Sequence, residues 1–230
     1  MVDFVILTGA GVSAESGLGT FRDEGGLWAQ HRIEDVATPE GFARNPKLVM
    51  DFYNARRAQA ADAKANAAHH ALARLAAHKE VVLVTQNVDG LHEQAARDGD
   101  TSYILHMHGA LDRANCTSCG ARWDAPMVMH PQHPCPECGA PTGRPDIVWF
   151  GEIPYHMDRI DAALQRAATF VSIGTSGNVY PAAGFVQAAR MYGAHTVELN
   201  MEATQGATFA GRHVGPASEV VPDWVEAVLG

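Results

Sequence analysis

The sequence predicts an α/β protein, a doubly wound parallel sheet interrupted by a small module of helices and a metal-held ribbon. Three observations point there. Short Val- and Ile-rich runs alternate with stretches of helical pattern, a glycine-rich turn follows the first run directly, and all four cysteines fall in two Cys-x-x-Cys pairs. Runs without polar alternation suit strands buried on both faces, and strands separated by helices imply parallel βαβ units. The 230 residues allow one large domain with an insert.

Strands are expected at residues 4–7, 81–85, 103–106, 147–150, 169–173 and 196–199, and helices at 66–78, 157–168 and 182–192. Two regions break the alternation. In the first, from 32 to about 65, Thr38-Pro39 and Asn45-Pro46 each read as an N-cap followed by proline at the first helical position. The second, 112–144, is rich in Cys, Pro, Gly and His and too poor in aliphatics to form a core, so it needs a metal. The expected organisation is a discontinuous large domain, 1–31 with 66–112 and 145–230. The helical insert 32–65 and the ribbon insert 113–144 would together form the small module.

Apolar residues make up 47% and charged residues 19%, as in a globular chain. The formal charge of −9 argues against a surface built to grip nucleic acid and permits basic peptides. No run approaches 18 apolar residues, so no membrane partner is expected. Met1-Val2-Asp3 lacks a basic n-region and 4–7 is too short for a signal sequence, which makes the cytoplasm the expected location. The first strand begins almost at residue 1, so no regulatory extension is expected there. The oligomeric state is left open, a monomer included.

Thr8-Gly9-Ala10-Gly11-Val12-Ser13-Ala14 fits Gly-x-Gly-x-x-Ala after a strand, the pattern of a tight turn and helix N-terminus facing a diphosphate. The plain alternative is a glycine-rich turn with no ligand. An ordinary dehydrogenase should carry an acid at the end of its second strand. Asp35 stands near that distance but precedes a turn-like Val36-Ala37-Thr38-Pro39. The loop instead continues through Ser16, Gly17, Gly19, Phe21 and Arg22, as a cover over a ligand would.

Cys116/Cys119 and Cys135/Cys138 have the spacing of a four-thiolate zinc site, with Gly120 and Gly139 suited to the two knuckles of a zinc ribbon. Four thiolates leave no open coordination position, so such a zinc is structural. A redox dithiol is the alternative, and His130 and His133 read as loop residues. Asn87 and Asp89 share a face of an extended segment after a buried strand, where such folds bind ligands; an Asx turn capping the next helix explains them as well. His106 and His108 also share a face, and His108 precedes a glycine at a strand end, a place suited to proton transfer.

Together these motifs, with Phe150-Gly151-Glu152 and Gly174-Thr175-Ser176, resemble the sirtuin family from about Val5 to Val225, closest to the bacterial CobB-like group of class III. The resemblance implies a Rossmann-like NAD-binding domain joined to a zinc module, and NAD-dependent removal of acyl groups from lysine, giving nicotinamide and O-acyl-ADP-ribose. It implies NAD contacts from Gly9, Ala10, Gly11, Ser13, Ser16, Phe21, Arg22 and Trp28. Gln86, Asn87, Val88 and Asp89 would line the nicotinamide and ribose site. Gly174, Thr175 and Ser176 would hold diphosphate and ribose, and Asn200, Met201, Glu202 and Ala217 the adenosine. His108 matches the family's general base, with Asn87 and Asp89 beside it in the chemistry. Val148, Phe150, Gly151 and Glu152 resemble the strand that pairs with an acyl-lysine protein or peptide.

Tyr53 and Arg56 fall at i, i+3 on the helix begun by Asn45-Pro46. They resemble a class III pair that reads an acidic acyl group, with small Ala37 leaving room for the chain. Succinyl and malonyl groups are then expected beside acetyl. On residues alone, the favoured reading is Tyr53 as partly core and Arg56 or Arg57 as a solvated surface charge. Gly19 and Gly177-Asn178 depart from common family forms. A protein mono-ADP-ribosyltransferase on the same scaffold is the alternative activity, and a nonenzymatic NAD-binding module a third reading.

Overall fold

The computed structural model describes residues 1–19, 30–97, 99–205 and 207–230. Its large sheet contains β1 (Val2–Thr8), β2 (Val81–Thr85), β3 (Ile104–His106), β7 (Ala167–Ile173), β8 (His195–Asn200) and β9 (Gly211–Val214). Their order is β3-β2-β1-β7-β8-β9 and every pairing is parallel. This is the doubly wound order, three strands running out on each side of a central break. A second sheet, order β5-β4-β6, is antiparallel and is made of β4 (Gly109–Cys116), β5 (Arg122–Asp124) and β6 (Gly143–Ile147).

The period of two in β1 explains its two-sided burial. Ile6 faces Leu72 and Leu75 of α4 (Ala67–Ala76) and Val221 and Trp224 of α8 (Ala217–Leu229). Val5 and Leu7 face Ile160 and Leu164 of α6 (Met157–Leu164) and Phe185 and Ala189 of α7 (Phe185–Met191). α5 (Leu91–Ala96) follows β2. Among the described residues, no helix is long and apolar enough to cross a membrane.

Among the described residues, the α-helices between β1 and α4 are α1 (Ile33–Val36), α2 (Pro39–Arg44) and α3 (Pro46–Asp62). Both expected caps form. Thr38 Oγ1 accepts from the Gly41 amide at 3.0 Å and Asn45 Oδ1 from the Leu48 amide at 3.1 Å, each cap followed by proline. Such a cap is worth about 1 kcal/mol. α3 lies on the small sheet. Met50 packs with Ala114 and Met129, and Phe52 and Tyr53 with Leu111, Ile147 and Trp149. Arg57 is no solvated charge: its buried guanidinium donates to the carbonyls of Leu111 (2.6 Å) and Met127 (3.2 Å) and fastens α3 to β4.

Several expected elements need correction. The strand expected at 147–150 ends at Ile147 and belongs to the small antiparallel sheet, where Ile147 pairs with Gly109. The helix expected to 168 stops at Leu164, because Ala167 already pairs with Val2 in β7. The stretch from 182 starts as a 3-10 turn, Ala182–Gly184, before α7. The turn after β1 is followed by two 3-10 turns, Ala10–Val12 and Ala14–Ser16, in place of the expected α-helix. β9 escaped sequence reading because Gly211-Arg212-His213-Val214 is a mostly exposed edge strand without an apolar pattern.

Candidate active site

The chain reverses direction across the sheet between β1 and β7, which makes the crevice beyond their carboxyl ends the natural ligand site. Thr8 is level with both Thr85 and Ile173, so the loops after β1, β2 and β7 leave the sheet at one height. The loops after β1 and β7 interlock through their backbones. The Gly11 amide donates to the Gly174 carbonyl at 2.8 Å and the Gly9 amide to Ile173 at 3.0 Å. A Cβ on Gly9 would lie 2.8 Å from Thr175 Cβ, and one on Gly174, which has φ +58°, 2.5 Å from the Val12 nitrogen. These glycines are demanded by the approach of one loop to the other. Thr175 gathers neighbouring elements: Gln86 Nε2 donates to its hydroxyl at 2.9 Å and Asn200 Nδ2 to its carbonyl at 2.8 Å. Ser16 accepts from Asn66 Nδ2 at 3.0 Å, which ties the first loop to the start of α4. Phe21, Arg22 and Trp28 lie outside the described residues.

Ser13 is the buried hub beneath these loops. Asn87 Nδ2 donates to its Oγ at 3.1 Å, and that hydroxyl donates to Asp89 Oδ2 at 3.1 Å. Asp89 Oδ1 accepts from the Leu91 amide, so the Asx turn is real as well, and one carboxylate serves both uses. Burial pushes the Asp89 carboxyl up, opposed by the Leu91 and Ser13 hydrogen bonds and by the charge of His106. Val88 is buried and packs with the Tyr53 cluster. Behind Ser13 stand His69, 3.4 Å from its Oγ, and His92, 3.1 Å from Thr8 Oγ1, with ring centroids 4.9 Å apart. Burial pushes His69 down to about 4 and His92 well below its usual range, so both are neutral near pH 7. Sequence reasoning missed this pair. The available signal was a histidine three residues past the N-cap Asn66, where it completes a capping box.

His106 and His108 hold consecutive carbonyls of the loop after β2. His108 Nδ1 lies 3.1 Å from the Gln86 oxygen and His106 Nδ1 lies 3.1 Å from the Asn87 oxygen. A carbonyl can only accept, so His108 carries its proton on Nδ1 and leaves Nε2 as a bare acceptor. Burial lowers the His108 pKa, against the Gln86 bond, which favours the neutral base.

The third group of predicted residues meets this one from the small sheet. The Val148 amide donates to the His108 carbonyl at 2.9 Å and the Phe150 amide to Ala37 at 3.0 Å. Residues 148–150 are outside any strand, and the Phe150 side chain is about half exposed (48%). Gly151 has φ +92°. Glu152 is turned to a structural task. Arg144 grips both its oxygens at 2.7 and 2.9 Å and the Trp149 amide adds a bond at 2.8 Å, while the Arg144 guanidinium lies over the Trp149 ring at 3.5 Å. Tyr53 is fully buried, its oxygen accepts from Trp149 Nε1 at 3.0 Å, and burial pushes its pKa up to about 12. The half-buried Arg56 lies 5.9 Å from the ring centres of both Phe52 and Tyr53. Burial lowers its pKa, and Tyr53 and Asp89 act to keep it charged.

On the far side, Asn200 ends β8, Met201 and Glu202 are exposed beyond it, and Ala217 is buried in the first turn of α8. The Glu202 carboxylate has no hydrogen-bond or ion-pair partner among the described residues. A free carboxylate beyond a strand end, beside a crevice whose loops present backbone in place of side chains, fits the ribose and diphosphate of NAD.

The four cysteine sulfurs lie within 4.8 Å of one another, with Cys116–Cys138 at 3.8 Å and Cys119–Cys135 at 3.7 Å. Zn–S bonds of about 2.3 Å in a tetrahedron require sulfurs about 3.8 Å apart, so the set fits one structural zinc. Each pair sits on the same knuckle. The Gly120 amide donates to the Cys116 carbonyl and the Gly139 amide to Cys135, both at 2.9 Å, and the two glycines have φ +75° and +70°. His133 stacks on Trp123 outside this set.

A doubly wound nucleotide-type sheet with a four-cysteine module defines a class; comparison narrows it. The Sir2 family profile matches residues 9–181, and the chain belongs to that family. It is 54% identical over 231 residues to a protein of Caulobacter vibrioides named NAD-dependent protein deacylase, covering 97% of this chain and 95% of that one. A protein of the same name from Bdellovibrio bacteriovorus is 53% identical, with 99% and 97% covered. Among solved structures, a complex of a Sir2 homolog with NAD is 37% identical with a TM-score of 0.87, covering 98% of this chain and 89% of that one. One titled Sir2-p53 peptide-NAD+ is 25% identical with a TM-score of 0.79, covering 98% and 93%.

Proposed function

We propose that this protein is an NAD-dependent protein-lysine deacylase of the bacterial cytoplasm that removes acetyl and acidic acyl groups, succinyl and malonyl, from lysine. NAD supplies a glycosidic carbon already activated by a positively charged leaving group, released as nicotinamide, and the acyl group ends as O-acyl-ADP-ribose. The residues of the chain bind, orient and move one proton. Asn87 and Asp89, held by Ser13, line the nicotinamide end, and the interlocked loops 9–16 and 174–176 cradle the diphosphate. Asn200, Met201, Glu202 and Ala217 take the adenosine. His108 Nε2 accepts a proton from a ribose hydroxyl. The backbone at 148–151 pairs with the substrate peptide. Arg56 and the Tyr53 hydroxyl receive the acyl carboxylate, with Ala37 beside them. The zinc holds 113–144, and with 32–65 this forms the small module set against 1–31, 66–112 and 145–230.

The observation that carries the reading is His108. Its Nδ1 is fixed on the Gln86 carbonyl and its own carbonyl accepts from the Val148 amide, which leaves Nε2 without a hydrogen. The test is mass analysis of matched acetyl- and succinyl-lysine peptides with and without NAD. NAD-dependent loss of both groups is expected. Arg56→Met should lower the succinyl-to-acetyl ratio of kcat/KM by about tenfold or more, the effect of losing a charge-assisted contact. An unchanged ratio would return Arg56 to a surface role. Label from NAD appearing on the peptide in place of deacylation would favour ADP-ribosyl transfer.

A further inference from the structure

His106 has no part in that mechanism, yet it is the more tightly held of the two histidines. Its Nδ1 lies 3.1 Å from the Asn87 carbonyl and its Nε2 lies 2.8 Å from Glu93 Oε1, on α5. Both partners are acceptors only. A neutral imidazole has one N–H and leaves one of these contacts as two lone pairs facing each other; an imidazolium satisfies both. His108, two residues on, has one acceptor partner and so is satisfied as a neutral ring. We infer that His106 is a positioning residue held as an imidazolium, which pins the Asn87 carbonyl and keeps positive charge beside Asp89, while His108 next to it is held neutral.

The charges facing His106 favour this state. Glu93 contributes most, through its hydrogen bond and its charge, and Asp89 acts in the same sense from the loop after β2; together with the Asn87 carbonyl they raise the His106 pKa despite burial. The other titratable neighbours, His92 on α5 and His156 before α6, both have lowered pKa values and are neutral near pH 7. The fixed cation has two consequences. Asn87 is held at both ends, its carbonyl by His106 and its amide group by Ser13. Asp89, pushed toward its neutral form by burial, is drawn back toward the carboxylate. Loss of the His106 proton as pH rises would leave one of its two contacts without a hydrogen and remove the positive charge beside Asp89.

This inference rests on the reading of Asn87, Asp89 and His108 as the reacting site, but its first test does not. In the zinc-loaded, 15N-labelled full chain, both His106 nitrogens should give imidazolium shifts at pH 7, while His108 shows one bare nitrogen at the same pH. A neutral His106 at pH 7 overturns the proposal whatever the activity. The second test is the pH profile of kcat and of KM for NAD. Wild type should lose kcat on the alkaline side as His106 deprotonates. Glu93→Gln should move that limb to lower pH. His106→Gln should lower kcat about tenfold and abolish the limb, the expected result of removing one charge-assisted bond. Equal loss of folded protein with an unchanged profile would reduce His106 to a structural role. Absence of NAD-dependent deacylation in wild type would defeat the proposed function and leave the NMR result standing.

Discussion

The two loops at the switch point and the two knuckles of the cysteine ribbon are both glycine-dependent turns, but they are held together by opposite means. The loops after β1 and β7 rise from a parallel sheet buried on both faces, and their glycines let two backbones interlock. The knuckles extend from a three-stranded sheet that packs on α3 through two smaller clusters, one around Phe52, Tyr53, Leu111 and Ile147 and one of Met50, Ala114 and Met129. Their glycines meet nothing within 4 Å and serve only to turn the chain around sulfur. The first site is organised by burial and by the contact of one backbone with another. The second is organised by the metal.

The largest way to break this symmetry is to take the zinc away. Structural zinc contributes about 10–16 kcal/mol in isolated fingers, so chelation should collapse the ribbon. Hydrogen exchange should show lost protection at the amides of Cys116, Gly120, Cys135 and Gly139, with β1 and β7 still protected. Equal loss in both sheets would mean that the ribbon supports the large sheet. Next in size is Gly174→Ala, which forces a methyl group to 2.5 Å from the Val12 nitrogen at a φ of +58°. A loss of about 3 kcal/mol in denaturant unfolding is expected, with weakened NAD binding. The same change at Gly120 should cost only its left-handed backbone, about 1 kcal/mol.

A smaller effect comes from the neutral histidines under the loops. His69 has a folded pKa of about 4, below its ordinary 6.5. The unfolded chain therefore binds more protons between those values, and stability rises with pH across that window. Acidification from 6.5 toward 4 should remove roughly 3 kcal/mol through His69, at 1.36 kcal/mol per pH unit. Urea titrations at several pH values read this slope, and His69→Gln should flatten it.

Legibility in the sequence followed the reach of each signal. Local chemistry was readable: the caps at Thr38 and Asn45, the strand at 81–85 and the cysteine spacing depend on neighbours a few residues away. Partners distant in the chain were not. Arg56 and Arg57 are adjacent and identical in type, and only the fold sends one toward Asp89 and the other to the Leu111 carbonyl. Glu152 stands in the segment expected to pair with a peptide, and only the fold shows that Arg144 holds both its side-chain oxygens. The 147–150 run had a strand's composition, but Ile147 spends its pairing on Gly109 in the other sheet.

The bond from Trp149 to Tyr53 carries a consequence of its own. The indole N–H occupies a lone pair of the phenol oxygen, and the phenol keeps its proton to high pH. Tyr53 keeps its hydrogen to donate and one lone pair to receive, and the Arg56 guanidinium beside it is a donor only. Under the proposed acyl reading, a chain ending in a carboxylate would be received at this pair, one ending in a methyl would leave its polar groups unengaged, and one ending in an amine would meet a guanidinium of its own charge.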